Sequence, residues 1–507
     1  MKTNVLFAAL AAAGLLSACS TPAPHGGKAS SDISREILAA NDGWAAMGGG
    51  VTGGSAAKDE NVFVVSTRKE FVDALKKAGD QPKIIKIKGT INLSTDDSGR
   101  ELFEKDYAVA PYNFDEYVKT YAPAVWNTKL DPKTKRPFRD LTGPQEEARE
   151  ASSKRQEARV RISIPTNTTI IGLGNDARII KGGLVIGSRT TQNPAGPIVS
   201  NVIIRNIEFQ DAFDYFPAWD PGDSWKVDKS YPGCQETYVD TKTGPQMCPG
   251  GRWNSEYDNI WLSGAERVWV DHCTFSDGDR NDKKFPPNFP FPHNEVTQKV
   301  QHHDGMLDIT LGSNFVTVSN NHFRDHDKSS LIGGSDSLDK VDGGKLNVTF
   351  RHNFYENAGQ RLPRVRFGQI HTFNNYYIGN AAGLDNAKNT AYQNHLHAIE
   401  AKNPGNIWRG ALGIGKNSAI FSENNVFEIK NGGAEIAAVI QGGSKFLDQG
   451  SMVNGKPADI LKAVNALDPK KQLSPDLGWK PAGYGAKALP AAEVPAYVKT
   501  HAGAGKL

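Results

Sequence analysis

The sequence of 507 residues predicts an all-β protein wound as a parallel β-solenoid, a coil of rungs joined by loops of unequal length. A short pattern, Asn or His, two residues, then Phe or Tyr, recurs as Asn206–Phe209, His272–Phe275, Asn320–Phe323, His352–Tyr355, Asn374–Tyr377 and Asn424–Phe427. Each copy follows a short β-branched run such as NVII, RVWV or FVTV. The copies lie 22 to 66 residues apart, which disfavours a propeller or a helical array and fits fixed rungs with variable insertions. The spacing of 22 sets the size of one undecorated rung. Equivalent residues of successive rungs stack, so Asn321, Asn353, Asn375 and Asn425 are expected to form an amide ladder with the aromatic rings stacked beside it.

The elements follow in order. Lys2 precedes an apolar run from Val5 to Leu16, too short for a permanent membrane span, so residues 1–18 read as a secretory signal. Leu16-Ser17-Ala18-Cys19 resembles a bacterial lipobox, which makes Cys19 the lipid-bearing residue and residues 19–40 a tether, Pro/Gly/Ser-rich as far as residue 33. Residues 41–507 are expected to form a single domain. Glu70 to Lys77 reads as a short helix capping the open end of the solenoid, ahead of a strand over Lys83–Lys88. Residues 101–159 are a charged insertion, in which Pro144, Glu146 and Glu147, with Lys154 and Arg155 later, mark a surface helix. After Asn425 the rung pattern fades, and residues 428–507 are expected to pack across the solenoid. In an oxidising compartment Cys234 and Cys248, flanking a Pro/Gly/Thr-rich loop, are a candidate disulfide, while Cys273 sits in an apolar run as a buried thiol.

The net charge, 59 − 56 = +3, gives no electrostatic ground for a nucleic-acid partner, and a monomer is expected. Two sets of residues carry chemistry. Asp258, Asp304 and Asp308 suit a hard, oxygen-seeking cation, calcium first, although carboxylates of this kind also serve as ordinary turn residues. Glu256 shares a face with Asp258 if that stretch is extended. His302 and His303, adjacent on a strand, point opposite ways and do not share a metal. Lys328, Arg361, Arg364 and Arg366 suit a polyanion bearing carboxylates, or else form solvated ion pairs; Arg364 and Arg366 share a strand face. Tyr215, Trp219, Trp225 and Trp253 in one long loop either stack on sugars or pack on each other.

The runs WNSEYDNI, VWVDHCTFSDGDR, QHHDGMLDI, VTVSNNHFRDHDKSSLIGGSDS and RHNFYENAGQRLPRVRFGQIHTFNNYY closely resemble those of the pectate lyases, which are right-handed parallel β-helix enzymes. The likeness is continuous from about Gly43 to Phe427 and returns in the HAGAGKL segment. It implies Asp258, Asp304 and Asp308 as calcium ligands, Arg361 as the proton-abstracting base, and Lys328 and Arg366, with Arg364 beside them, as partners of substrate carboxylates. Trp269-Val270-Asp271-His272 matches a family signature read as rung-stabilising. The implied reaction is calcium-dependent cleavage of polygalacturonate by anti β-elimination, releasing 4,5-unsaturated oligogalacturonates. The charged insertion and a lengthened loop after Asp282 depart from the family and bear on the shape of the groove. A glycoside hydrolase would need a carboxyl pair flanking the bond, and the adjacent Asp96-Asp97 pair lies in a turn outside the rungs. A pectin lyase for methyl-esterified chains would not need the three Asp ligands, and a non-catalytic polyuronate-binding lipoprotein would not need Arg361.

Cys19 is followed by Ser20 and not Asp, which resembles a lipoprotein of the outer membrane or cell surface of a Gram-negative bacterium; plain secretion is the alternative. The wild-type protein is expected to partition into detergent with membranes. Cys19→Ala is expected to stall as a precursor or to become soluble. Mature wild-type protein free in the culture fluid with an unmodified N-terminus would exclude the anchor.

Overall fold

The computed structural model describes residues 32–122, 125, 141–220, 227–228, 238–239, 246–248, 252–285, 300–382, 406–481 and 488–507. Cys19 and Cys234 lie outside these residues, as do Trp225 and most of the tether, so neither the anchor nor the Cys234 to Cys248 bridge enters the description.

The chain winds through three sheets in turn, parallel throughout except where Lys456–Pro457 pairs antiparallel with Met452–Val453. An eight-stranded sheet runs from Arg161–Ile164 to Ala438–Gln441, a ten-stranded one from Val62–Val65 to Lys445–Gln449, and a second ten-stranded one from Thr90–Asn92 to Lys456–Pro457. Each full turn gives one strand to each sheet, the arrangement of a right-handed parallel β-helix. Strands buried on their inner face align apolar side chains: Val202, Val268, Val316, Val348, Ile370, Ile420 and Phe446 stand in register and are fully buried.

The repeated pattern has a backbone cause. Asn206, His272, Asn320, His352, Asn374 and Asn424 all adopt left-handed conformations, with φ of 48 to 58°. This region disfavours most side chains and tolerates Asn and His better than others, so the bend selects the residue. The residues that follow form the expected ladder. Asn321 Nδ2 donates to Asn353 Oδ1 at 3.1 Å, Asn353 to Asn375 at 2.9 Å and Asn375 to Asn425 at 3.0 Å. The same Nδ2 atoms, with that of Asn425, also donate to the carbonyls of Val270, Val318, Phe350 and Thr372. Phe209, Phe275, Phe323, Tyr355, Tyr377 and Phe427 stack beside it, with centroids 4.5 to 5.3 Å apart. Cys273 occupies the bend position of an earlier rung, fully buried, and burial pushes its thiol up to about 12.

The solenoid runs a turn beyond the point where the pattern fades. Strands Ala438–Gln441, Lys445–Gln449 and Met452–Val453 complete another rung, with Gly450 (φ 72°) at the bend and Ser451 Oγ accepting from Asn425 N at 3.1 Å. The helix Arg68–Ala78, one residue longer at its C-terminus and two at its N-terminus than expected, caps the first rungs through Phe71, Ala74 and Leu75. Its start is fixed by a capping box between Thr67 and Glu70. In the insertion, Pro144 opens a helix over Pro144–Val160 that exposes Glu147, Lys154 and Arg155, as expected of a surface helix, and buries a polar face. Glu146, Arg149, Ser152 and Gln156 are buried, and Arg149 and Gln156 donate to the carbonyls of Phe216 and Phe213.

The Trp269-Val270-Asp271-His272 segment stabilises rungs, as expected. Burial opposes the charge of Asp271, yet His272, Arg205 and Ser319 hold its carboxyl well below the usual range. Asp271 accepts from Arg205 Nε at 2.9 Å, Ser319 Oγ at 2.6 Å and Asn320 Nδ2 at 3.0 Å.

The ladder sets a measurable stability. Asn353→Ala leaves the buried Asn321 backbone amide without its acceptor and removes one donor from the Val318 carbonyl, at about 1–3 kcal/mol for a buried group left unmatched. Denaturant unfolding is expected to show a loss of about 3 kcal/mol, and a loss below about 1 kcal/mol would show that the ladder is incidental.

Candidate active site

The bends between the third and first sheets form a second column. Asp304 N donates to Tyr257 O at 3.1 Å, Met306 N to Ser329 O at 2.9 Å, Ser330 N to Arg361 O at 2.8 Å and Leu362 N to Ala411 O at 2.9 Å. Consecutive rungs therefore deliver Asp258, Asp304, Lys328 and Arg361 side by side, although the sequence separates them by 46, 24 and 33 residues. On the strands beyond these bends Trp261, Asp308, Leu331 and Arg364 stand in register across the eight-stranded sheet. Val365 is buried between the half-buried Arg364 and Arg366, so the two arginines share the outer face, as expected.

The acidic part is crowded. Asp258 Oδ1 accepts from Gly305 N at 2.7 Å and Asp308 Oδ1 from Leu331 N at 2.9 Å. A Cβ on Gly305 would lie 2.4 Å from Asp308 Oδ1 and 2.7 Å from Asp258 Oδ1, so both oxygens converge on a point that only glycine leaves open. Burial, then Asp308 and Asp304, push the Asp258 carboxyl well up, and burial with Asp304 pushes Asp308 up to about 7. Glu256 is exposed and Asp258 buried in a coil segment, so these two do not share a face; the stretch is a turn and not a strand.

The basic part sits against it. Lys328 is buried, with Nζ 2.6 Å from Asp304 Oδ1 and 2.9 Å from Gln301 Oε1. Arg361 adopts φ 58°, and its Nε is buried with no hydrogen-bond partner among the described residues. Arg366 is turned to the rim, where Nε meets Asp336 Oδ1 at 2.6 Å and Nη1 meets the Gly333 carbonyl at 2.9 Å.

Sequence reasoning named His302 and His303 but placed them on a strand, and it missed His326 and the hold these histidines have on the acidic turn. His302 and His303 lie in coil and part because their rings find different partners. His302 Nδ1 donates to Asp214 O at 2.7 Å, and burial lowers it to about 4. His303 lies between Asp282 Oδ1 at 2.8 Å and Asp211 Oδ1 at 3.1 Å; burial opposes its charge, but Asp277 and Asp282 raise it well above the usual range. His326 is buried beside the same turn. It belongs to a strand whose side-chain alternation is reset by Asp325 at φ 56°, which hides it from a period-two reading. A cavity of about 490 Å³ behind this strand is lined by Asp277, Asp282, Asp325, His326 and Asp327, and does not include Asp304, Asp308 or Arg361.

The insertion forms a wall of this region. Tyr257, next to Asp258, donates its hydroxyl to Ser153 O at 3.1 Å. Trp219 and Trp253 are buried against Tyr117 and Tyr121, so these two pack on their neighbours and do not offer faces to sugar.

Comparison with known proteins decides the family. A family described as pectate lyase matches residues 3–116, 142–240 and 234–507. The chain belongs to the pectate lyase family. It is 40% identical over 489 residues to a pectate lyase of Bacillus subtilis (strain 168), covering 96% of both chains, and 32% identical to pectate lyase E of Dickeya dadantii (strain 3937), covering 84% of this chain and 79% of that one. A solved pectate lyase bound to a hexasaccharide superposes with a TM-score of 0.74 at 39% identity, over 94% of this chain and all of that one. A pectate lyase from Acidovorax avenae subsp. citrulli gives 0.75 at 32% identity, over 93% and 96%. The protein is thus a polysaccharide lyase.

The residues fit a calcium ion by chemistry: the donors are all carboxylate oxygens, two of them converge, and their mutual repulsion asks for a cation. Among the described residues no group of three His, Cys, Asp or Glu side chains is already drawn together around a metal position, since Asp304 leans on Lys328.

This strain predicts a pH dependence. Folded Asp308 keeps its proton to about 7, whereas the unfolded chain releases it near 4, so the folded state binds more protons between these values and loses stability as pH rises. In chelator, the midpoint of thermal unfolding is expected to fall between about pH 5 and pH 8, and Asp308→Asn to flatten that fall. An unchanged slope in Asp308→Asn would place the strain elsewhere.

Proposed function

We propose that this lyase cleaves polygalacturonate by calcium-dependent anti β-elimination with Arg361 as the base. The observation that carries the reading is the stacking of converged carboxylates, Lys328 and a partnerless Arg361 Nε on adjacent bends. A calcium ion held by Asp258, Asp304 and Asp308 would bind the substrate carboxylate and acidify the proton on the neighbouring carbon-5. Lys328, Arg364 and Arg366 bind and orient the carboxylates of the chain, Arg366 by exchanging Asp336 for substrate. Arg361 accepts the carbon-5 proton, the electron pair forms the carbon-4 to carbon-5 double bond, and the glycosidic oxygen leaves carbon-4 on the opposite face with a proton from water. A relative 38% identical has been studied for its anti β-elimination mechanism, which supports the same chemistry here. The lipobox-like Cys19 supports release of products at the cell envelope.

Ultraviolet absorbance of the unsaturated product tests this. Excess chelator is expected to abolish turnover and added calcium to restore it, with Asp304→Ala behaving like the chelated wild type. Arg361→Lys keeps the charge but displaces the reacting atom, so turnover is expected to drop at least about 100-fold with polygalacturonate still bound. Near-normal turnover in Arg361→Lys alongside a dead Arg366→Ala would move the base to Arg366.

A further inference from the structure

The turn from Gln301 to Gly305 supplies Asp304 and, through the Gly305 amide, the hydrogen bond that orients Asp258, yet it has no strand of its own. Its shape is imposed from outside. His326 is 2% exposed. Its Nε2 donates to the Asp304 carbonyl at 2.5 Å, and its Nδ1 lies 2.7 Å from Asp277 Oδ1. His303 braces the turn from the other side through Asp282 and Asp211, and the His302 amide donates to the same Asp282 oxygen at 3.0 Å.

Resting on the calcium reading above, we propose that His326 is a positioning residue for the metal site, an imidazole that fixes the backbone of Asp304 and is itself anchored by Asp277. Among the described residues the Asp304 carbonyl is the acceptor its Nε2 reaches, and that peptide group joins the Asp304 carboxylate to the Gly305 amide. If the carbonyl is released, the turn can rotate and two of the three carboxylates lose their setting together. Among the described residues no hydrogen bond or ion pair joins His326 to Arg361. The partners of metal ligands commonly govern metal affinity by 10- to 100-fold, and here the partner acts on the backbone of the ligand-bearing residue.

Two isosteric variants separate the ring nitrogens. The amide of His326→Gln reaches the place of Nε2, and that of His326→Asn the place of Nδ1. Calcium binding by calorimetry on the full chain is expected to stay within about threefold of wild type in His326→Gln and to weaken about 10- to 100-fold in His326→Asn, with kcat at saturating calcium little changed in both. If His326→Asn does not fold, Asp277→Asn, which frees the ring from its anchor, is expected to weaken calcium binding in its place. Equal calcium affinity in wild type, His326→Gln and the second variant would overturn the proposal, as would a fall in kcat at saturating calcium that matches the loss of affinity. A wild-type chain that takes up no calcium would instead overturn the calcium reading itself.

Discussion

The hydrogen bond from one asparagine amide to the next, repeated once per turn, holds the rungs of this molecule in register. It is possible only because the residue before it takes a left-handed bend, which turns each chain inward at the same height. A parallel sheet alone allows neighbouring strands to slip by two residues and keep their apolar faces inside. An amide ladder does not, since a slipped rung would leave buried donors and acceptors unmatched. Fixed on one edge, the rungs are fixed on the others, and the bends on the far edge stack as closely as the asparagines do.

That far edge shows what register makes possible. Asp258, Asp304, Lys328 and Arg361 come from four separate rungs, and no local motif unites them. The same stacking crowds carboxylates against one another, so the acidic end stores electrostatic strain while the basic end balances part of it: Arg361 and Lys328 both lower the Asp308 carboxyl, though less than burial and Asp304 raise it. The histidines around the turn of Asp304 take up the geometry that the strands do not reach. Rigid sheets and a braced coil together make a preorganised cluster of charge.

The sequence made the ladder legible because it repeats one residue at one bend, and it showed Arg364 and Arg366 on one face because alternation holds across Val365. The additional rung escaped notice because Gly450, Ser451 and Val453 perform the work of Asn, Asn and Phe with different side chains. The helix of the insertion was legible from Pro144, but its buried face was not, since it is made of Glu146, Arg149 and Gln156 and leaves no apolar stripe. The acidic residues were legible as types; their roles came from family resemblance, and pairing Glu256 with Asp258 failed because the segment is a turn. His326 gave no signal, as Asp325 shifts the alternation just before it.

The turn column also bears on how such a protein changes over generations. Register is set at the asparagine edge, so the loops that leave the opposite edge are free to lengthen without moving the residues that stack there; intervals of 22 and of 66 residues already coexist between neighbouring bends. Mutation can therefore explore new walls and rims around an unchanged reaction centre, and the helix Pro144–Val160 shows such an addition already absorbed into the body of the enzyme. Variation in what the groove admits and constancy in what it does are inherited from two different edges of the same coil.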